Sequence, residues 1–101
     1  MKLPEDPFVR ELLPEFIDTW INDINLQLEM LVSYRNEEDL YRFGHTLKGS
    51  CLQFGLDDIA ALGIELMGYA KEQEWEKAIL LKPLFIDAFK KVKAMITPEP
   101  N

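Results

Sequence analysis

The chain has 101 residues, of which 48% are hydrophobic and 11% aromatic, a composition typical of a folded domain that excludes a disordered or low-complexity protein. Its net charge of −7 argues against nucleic-acid binding, which needs an excess of Lys and Arg. No apolar run approaches the roughly 20 residues of a membrane-spanning helix, and a single cysteine excludes an intramolecular disulfide. We therefore expect one cytoplasmic domain over residues 1–101, with flexible ends at 1–6 and 97–101.

The N-terminal third of the chain predicts two helices. Pro7 suits the first position of a short helix that Pro14 ends. A longer amphipathic helix then runs to about Arg35, because apolar residues recur at a spacing of three and four. Its apolar stripe consists of Ile17, Trp20, Ile21, Ile24, Leu28, Leu31 and Val32. Leu26 and Met30 lie off this stripe. We expect the N-terminal segment to cover them, and the alternative is an exposed contact patch.

The middle of the chain predicts two further helices joined by a short loop. Asn36 can cap a helix from about Glu37 to Phe54, and Gly55 suits a left-handed C-terminal cap. Asp57 looks like the cap of a helix over 58–73, whose apolar stripe is Ile59, Leu62, Gly63, Leu66 and Ala70. A glycine on that stripe suggests that a neighbouring helix approaches closely.

The last predicted helix covers 75–96. Its apolar stripe is Ala78, Leu81, Phe85, Phe89, Val92 and Ile96. Pro83 lies off the stripe, and both a solvent-facing kink and a break into two helices stay open. Long helices joined by short loops predict an all-α fold, an antiparallel up-down four-helix bundle with a short extra N-terminal helix.

The only histidine, His45, lies in the sequence HTLKGSCLQFG, residues 45–55. At about 100° per residue it points about 140° away from the apolar stripe of its helix, which is Leu40, Phe43, Gly44, Leu47, Cys51 and Phe54. Gly49, one turn later, removes a side chain that would crowd the ring, and Lys48 adds a cation beside it. An exposed imidazole is a nucleophile near neutral pH, and the ammonium can pair with phosphoryl oxygens.

This stretch resembles the signature of the histidine-containing phosphotransfer (HPt) domain, in which a histidine is followed after two residues by Lys-Gly, small residues, an apolar residue and Gly. Here the matching positions, without a gap, are His45, Lys48, Gly49, Ser50, Cys51, Phe54 and Gly55. Cys51 stands where the family usually has Ser or Ala, and we expect a buried core residue there rather than a redox site.

The resemblance implies a phosphorelay, in which His45 accepts a phosphoryl group from a receiver-domain aspartate and passes it to a second receiver. His45 would be the nucleophile, Lys48 would stabilise phosphoryl charge and Gly49 would give clearance. Residues of the same helix face, Tyr41, Arg42, Leu52 and Gln53, would contact the receiver. For Leu52, partial burial between helices is an equal alternative. Such a protein has no kinase activity of its own.

The resemblance also bears on cofactors and partners. We expect no cofactor on this chain, with Mg²⁺ held by the receiver, and neither a metal site nor an ATP loop, since the chain lacks their motifs. The expected partners are receiver domains of a hybrid kinase or response regulator, bound by a monomer. Family members often carry Glu or Gln on the following helix to orient the ring, but the aligned residue here is Met67.

A non-catalytic helical docking module is the alternative function.

Overall fold

The computed structural model describes residues 5–96, and over this range the chain is all-helical. The elements are α1 (Pro7–Asp23), a π-helical turn (Ile24–Leu28), α2 (Glu29–Ser33), α3 (Glu37–Gln53), α4 (Asp57–Lys71) and α5 (Trp75–Ile96). The residues that join α1, the π turn and α2 are all right-handed helical, so these three pieces form one continuous rod. This first rod, α3, α4 and α5 are the four helical segments that pack together.

The predicted apolar stripes form a single core. Its buried residues include Ile17 and Leu28 of the first rod, Leu47 of α3, Leu66 of α4 and Phe85 of α5. No polar or charged side chain of residues 5–96 is buried. Burial of apolar surface is therefore the main force that holds the helices together.

The start of the chain differs from the prediction, because residues 7–23 form one continuous helix rather than two. Asp6 caps α1 by accepting a hydrogen bond of 2.9 Å from the Phe8 amide, and the helix continues through Pro14. Proline removes one backbone hydrogen bond, but Leu13 and Ile17 on either side of it are both buried in the core. Their burial offsets that loss and keeps the helix continuous. The remaining predicted flexible residues, 1–4 and 97–101, lie outside the described part.

The expected cover over Leu26 and Met30 is also wrong. Their side chains are 66% and 48% exposed. Residues 7–13 continue along the axis of the same rod, so they cannot fold back onto it. The alternative, an exposed apolar patch, describes these two residues.

Each of the three loops between helices has three residues, and the middle one is left-handed: Arg35 (φ 53°), Gly55 (φ 73°) and Gln73 (φ 57°). The predicted cap at Gly55 is confirmed, and so is Asn36, whose side chain accepts a 3.1 Å hydrogen bond from the Asp39 amide. The prediction for Asp57 is wrong. The residue before α4 is the buried Leu56, and Asp57 is the first residue of the helix. A carboxylate at this position suits the positive end of the helix.

Two charged pairs show how the last helix runs relative to the first rod. Lys93 Nζ lies 2.6 Å from Asp18 Oδ1, and Lys82 Nζ lies 3.2 Å from Glu29 Oε1. As the sequence number rises along the rod it falls along α5, so the two are antiparallel.

α5 is unbroken at Pro83, whose ring is exposed, and this decides against two shorter helices. No helix within residues 5–96 combines the length and apolar character that crossing a membrane requires.

The helices next to α3 stand at different distances from it. A Cβ atom on Gly44 of α3 would lie 3.1 Å from the carbonyl oxygen of Gly63 in α4. A Cβ atom on Gly63 would likewise lie 3.1 Å from the carbonyl oxygen of Gly44. On the other side, Phe16 stacks on Phe54 and Trp20 packs edge-on against Phe43, with ring centroids 4.1 and 5.7 Å apart. Two glycines bring α4 close to α3, and aromatic side chains hold the first rod away from it.

The close approach at Gly63 gives a stability prediction. Gly63→Ala should lower the free energy of unfolding by about 1–3 kcal/mol, because its new methyl meets backbone rather than a movable side chain. Gly68→Ala in the same helix is the matched control. Its Cβ would meet nothing within 4 Å, and the substitution should raise stability by about 0.5–1 kcal/mol. Urea unfolding followed by circular dichroism measures both, and equal midpoints would contradict the close approach.

Candidate functional site

His45 occupies the exposed side of α3, next to the point where this helix packs closely against α4. Its neighbour Gly44 is buried against α4, and Leu47, two residues on, is fully buried. The imidazole itself is exposed. A rigid backbone therefore presents a solvent-accessible nucleophile.

Gly49 leaves the space beside the imidazole empty. A Cβ atom at this position would meet nothing within 4 Å, and the backbone there has ordinary helical geometry, so neither packing nor conformation requires glycine. Side chains of a helix lean toward its N-terminus, so a side chain at position 49 would lie over the ring of His45. Glycine in an exposed helix interior costs about 1 kcal/mol relative to alanine. The glycine thus leaves room for a group at the imidazole.

Lys48 lies on the α4 side of His45, and its stem is held against the neighbouring helix. Its Cβ and Cα would be 3.2 and 3.3 Å from a Cβ placed on Gly63. The same N-terminal lean brings the rest of its side chain toward the His45 turn. No carboxylate among residues 5–96 pairs with its ammonium. The cation is thus available to an anion at the imidazole.

Tyr41 and Lys71 complete the surroundings of the ring. The Tyr41 and His45 rings are stacked, with centroids 6.4 Å apart and planes inclined by 28°. The Lys71 ammonium of α4 lies 5.6 Å from the Tyr41 ring centroid, within reach of a cation–π interaction. The sequence predicted Tyr41 on this face but missed Lys71. The spacing of four between Tyr41 and His45 was the available signal for the stack.

The other predicted contact residues surround this centre. Arg42 is exposed and pairs with Glu38 at 3.1 Å and Asp39 at 3.6 Å, so its charge is partly balanced. Gln53 is exposed, and Leu52 is 50% exposed, which makes it available for apolar contact. All four predicted contact residues lie on α3.

Met67 packs against Gly44 rather than supporting the imidazole. Its Cγ would be 3.1 Å from a Cβ placed on Gly44. Among residues 5–96 no side chain forms a hydrogen bond with the His45 ring. The aromatic neighbour of the imidazole is Tyr41, whose ring centroid lies 6.4 Å away.

Cys51 is fully buried on the inner side of α3, as predicted. Burial raises the pKa of its thiol to about 12, because a thiolate would lose its hydration there. A nucleophilic or redox role would need the thiolate, so the sulfur serves as core packing. Within residues 5–96 no group of three or more His, Cys, Asp or Glu side chains is placed to hold a metal ion.

Comparison of the chain with protein-family models, with curated proteins and with solved structures found no match.

The raised thiol pKa predicts slow alkylation of Cys51 in the folded protein. With the pKa moved from 9.0 to about 12, the thiolate fraction at pH 8 falls about 1,000-fold, and burial slows access further. Iodoacetamide labelling followed by mass spectrometry should give little product without denaturant and rapid, complete labelling in 6 M guanidinium, roughly the range that unfolds stable domains. Equal labelling rates in the two conditions would place the thiol at the surface.

Proposed function

We propose that this chain is a histidine phosphotransfer protein of a multistep two-component pathway, with His45 as the residue that carries phosphate. The observation that carries the proposal is one constellation on α3: an exposed imidazole, an empty glycine position one turn later and, between them, an ammonium that no carboxylate of residues 5–96 pairs with. The HPt-like signature over 45–55 supports the same function. With it we propose the finer architecture, an antiparallel up-down four-helix bundle whose first helix is the rod over residues 7–33.

The reaction needs a nucleophile and room for an in-line approach. The lone pair of a His45 ring nitrogen attacks the phosphorus of a receiver phospho-aspartate and forms the N–P bond. The P–O bond breaks, and its electron pair stays on the aspartate carboxylate. The reverse step, on a second receiver, returns the imidazole. The Lys48 ammonium stabilises the negative charge of the phosphoryl oxygens as they pass His45, and positioning with charge stabilisation dominates such transfers.

The partner supplies the rest of the chemistry. The phosphoryl group and the Mg²⁺ that balances its charge arrive on the receiver, and the protein described here has no kinase activity of its own. Tyr41, Arg42, Leu52 and Gln53 form the proposed contact surface around His45, with Leu52 as its half-exposed apolar residue. We place the protein in the cytoplasm, where it acts as a monomer between receivers of a hybrid kinase and a response regulator.

The relay is tested by phosphate transfer to His45. Several receiver domains, each labelled on its aspartate, are incubated with wild-type protein and with His45→Gln, whose folding is checked by circular dichroism. The wild type should acquire an acid-labile, base-stable phosphate and the variant none. Binding of receivers by both proteins without any label would support the docking-module alternative and refute the relay.

Gly49 gives a second, steric test. Gly49→Gln should reduce transfer from a receiver at least 10-fold, because the new side chain lies over the imidazole and displaces the incoming phosphoryl group. The helix should stay folded, since the position is open. Gly49→Ala is the graded control, and it should raise the melting temperature while slowing transfer less. Unchanged transfer in Gly49→Gln would disprove the clearance role.

A further inference from the structure

The orientation of the His45 ring needs an explanation that hydrogen bonding does not provide. Met67 packs against Gly44, and no side chain of residues 5–96 bonds to either ring nitrogen. An exposed imidazole without partners samples several rotamers. The Tyr41 ring, one turn before His45, is stacked with the imidazole at a centroid distance of 6.4 Å.

We propose that Tyr41 is a positioning residue, held in place by Lys71, which stacks on the His45 ring and directs the approach of the phosphoryl group to the Gly49 side. This inference rests on the proposed phosphotransfer function. Tyr41 lies one turn before the histidine and Gly49 one turn after it. One side of the imidazole therefore has an aromatic neighbour and the opposite side is open.

Lys71 is what keeps Tyr41 in this position. Tyr41 borders an open recess of about 380 Å³, lined also by Glu37, Glu38 and Lys71, so its ring has free space on that side. The Lys71 ammonium lies 5.6 Å from the ring centroid and is attracted by the negative face of the aromatic ring. Because Lys71 belongs to α4, it links the position of Tyr41 to the closely packed pair of helices α3 and α4.

Positioning by a stack differs chemically from positioning by a hydrogen bond. An acceptor such as a carboxylate would bind one ring N–H and fix the tautomer. A stacked ring contacts the face of the imidazole and leaves both nitrogens unbonded. We therefore expect His45 to have a restricted ring orientation together with a mixture of both neutral tautomers, which ¹⁵N chemical shifts of the ring distinguish.

The stack can be observed without any phosphate. His45 is the only histidine, so its ring protons give the only histidine signals in an NMR spectrum. Tyr41→Ala should move both ring proton signals toward the values of a free histidine, because the ring current of the tyrosine is lost. Tyr41→Phe should keep them near the wild-type positions, and Lys71→Met should shift them part of the way. Tyr34→Ala, at a tyrosine that is 77% exposed, is the matched control and should leave them unchanged.

The rate is measured with phosphoramidate, a small donor that needs no receiver contact. A ring nitrogen attacks phosphorus, the P–N bond of phosphoramidate breaks, and its electron pair leaves with ammonia. Tyr41→Ala should lower the rate of phosphohistidine formation about 3- to 10-fold, because the imidazole spends less time in the productive orientation. Tyr41→Phe keeps the aromatic ring and should recover most of the rate that Tyr41→Ala loses, while Tyr34→Ala should react at the wild-type rate.

The outcomes separate the two proposals. No phosphohistidine on the wild type, from phosphoramidate or from any receiver, overturns the proposed function, while the NMR signals still decide whether the stack restrains the ring. Wild-type phosphorylation with unchanged signals in Tyr41→Ala overturns the stack. Changed signals with an unchanged or higher rate overturn the positioning role. If the His45 ring of the wild type is found in a single neutral tautomer, a hydrogen bond fixes it, and orientation by stacking alone is overturned.

Discussion

The approach of α3 and α4 at Gly44 and Gly63 determines how the rest of the molecule is arranged. Each glycine places bare backbone against the other helix, and a methyl group on either would meet a carbonyl oxygen at 3.1 Å. The first rod, in contrast, is held off α3 by stacked and edge-on aromatic rings. The helix that carries His45 is therefore tightly packed on one side and widely spaced on the other, and the imidazole follows directly after the tightest point.

In this arrangement, the residues of the proposed site are not the residues that stabilise the fold. His45 and Gly49 face solvent and contribute nothing to the core, while Gly44, Leu47 and Cys51 on the same helix are buried. Because the interior holds no buried polar or charged side chain among residues 5–96, the fold does not depend on a polar network that a change at the surface would disturb. Substitutions at the proposed contact surface should therefore leave the domain folded.

The sequence predicted most of the core, because burial follows helical periodicity, and it predicted the local caps at Asn36 and Gly55, which depend on a few adjacent residues. It placed His45 on the exposed face for the same reason, and the structure has Lys48 and Gly49 beside it, both half-buried. It failed where distant packing decides the outcome. Pro14 does not end its helix because burial on both sides offsets the lost bond, and the helix predicted to reach residue 73 ends at Lys71, with Gln73 left-handed. The contact of Lys71 with Tyr41 joins two helices and has no local signal.

The same glycine contact bears on the order in which the chain folds. Gly44 and Gly63 lie in consecutive helices joined by a short loop, so bringing them together closes a small loop and loses little chain entropy. The Lys93–Asp18 pair, in contrast, joins two residues that are 75 positions apart in the sequence. Contacts that are local in sequence form faster than distant ones. We therefore expect the α3–α4 hairpin, which carries His45, to assemble first and to serve as the surface on which the first rod and α5 later dock.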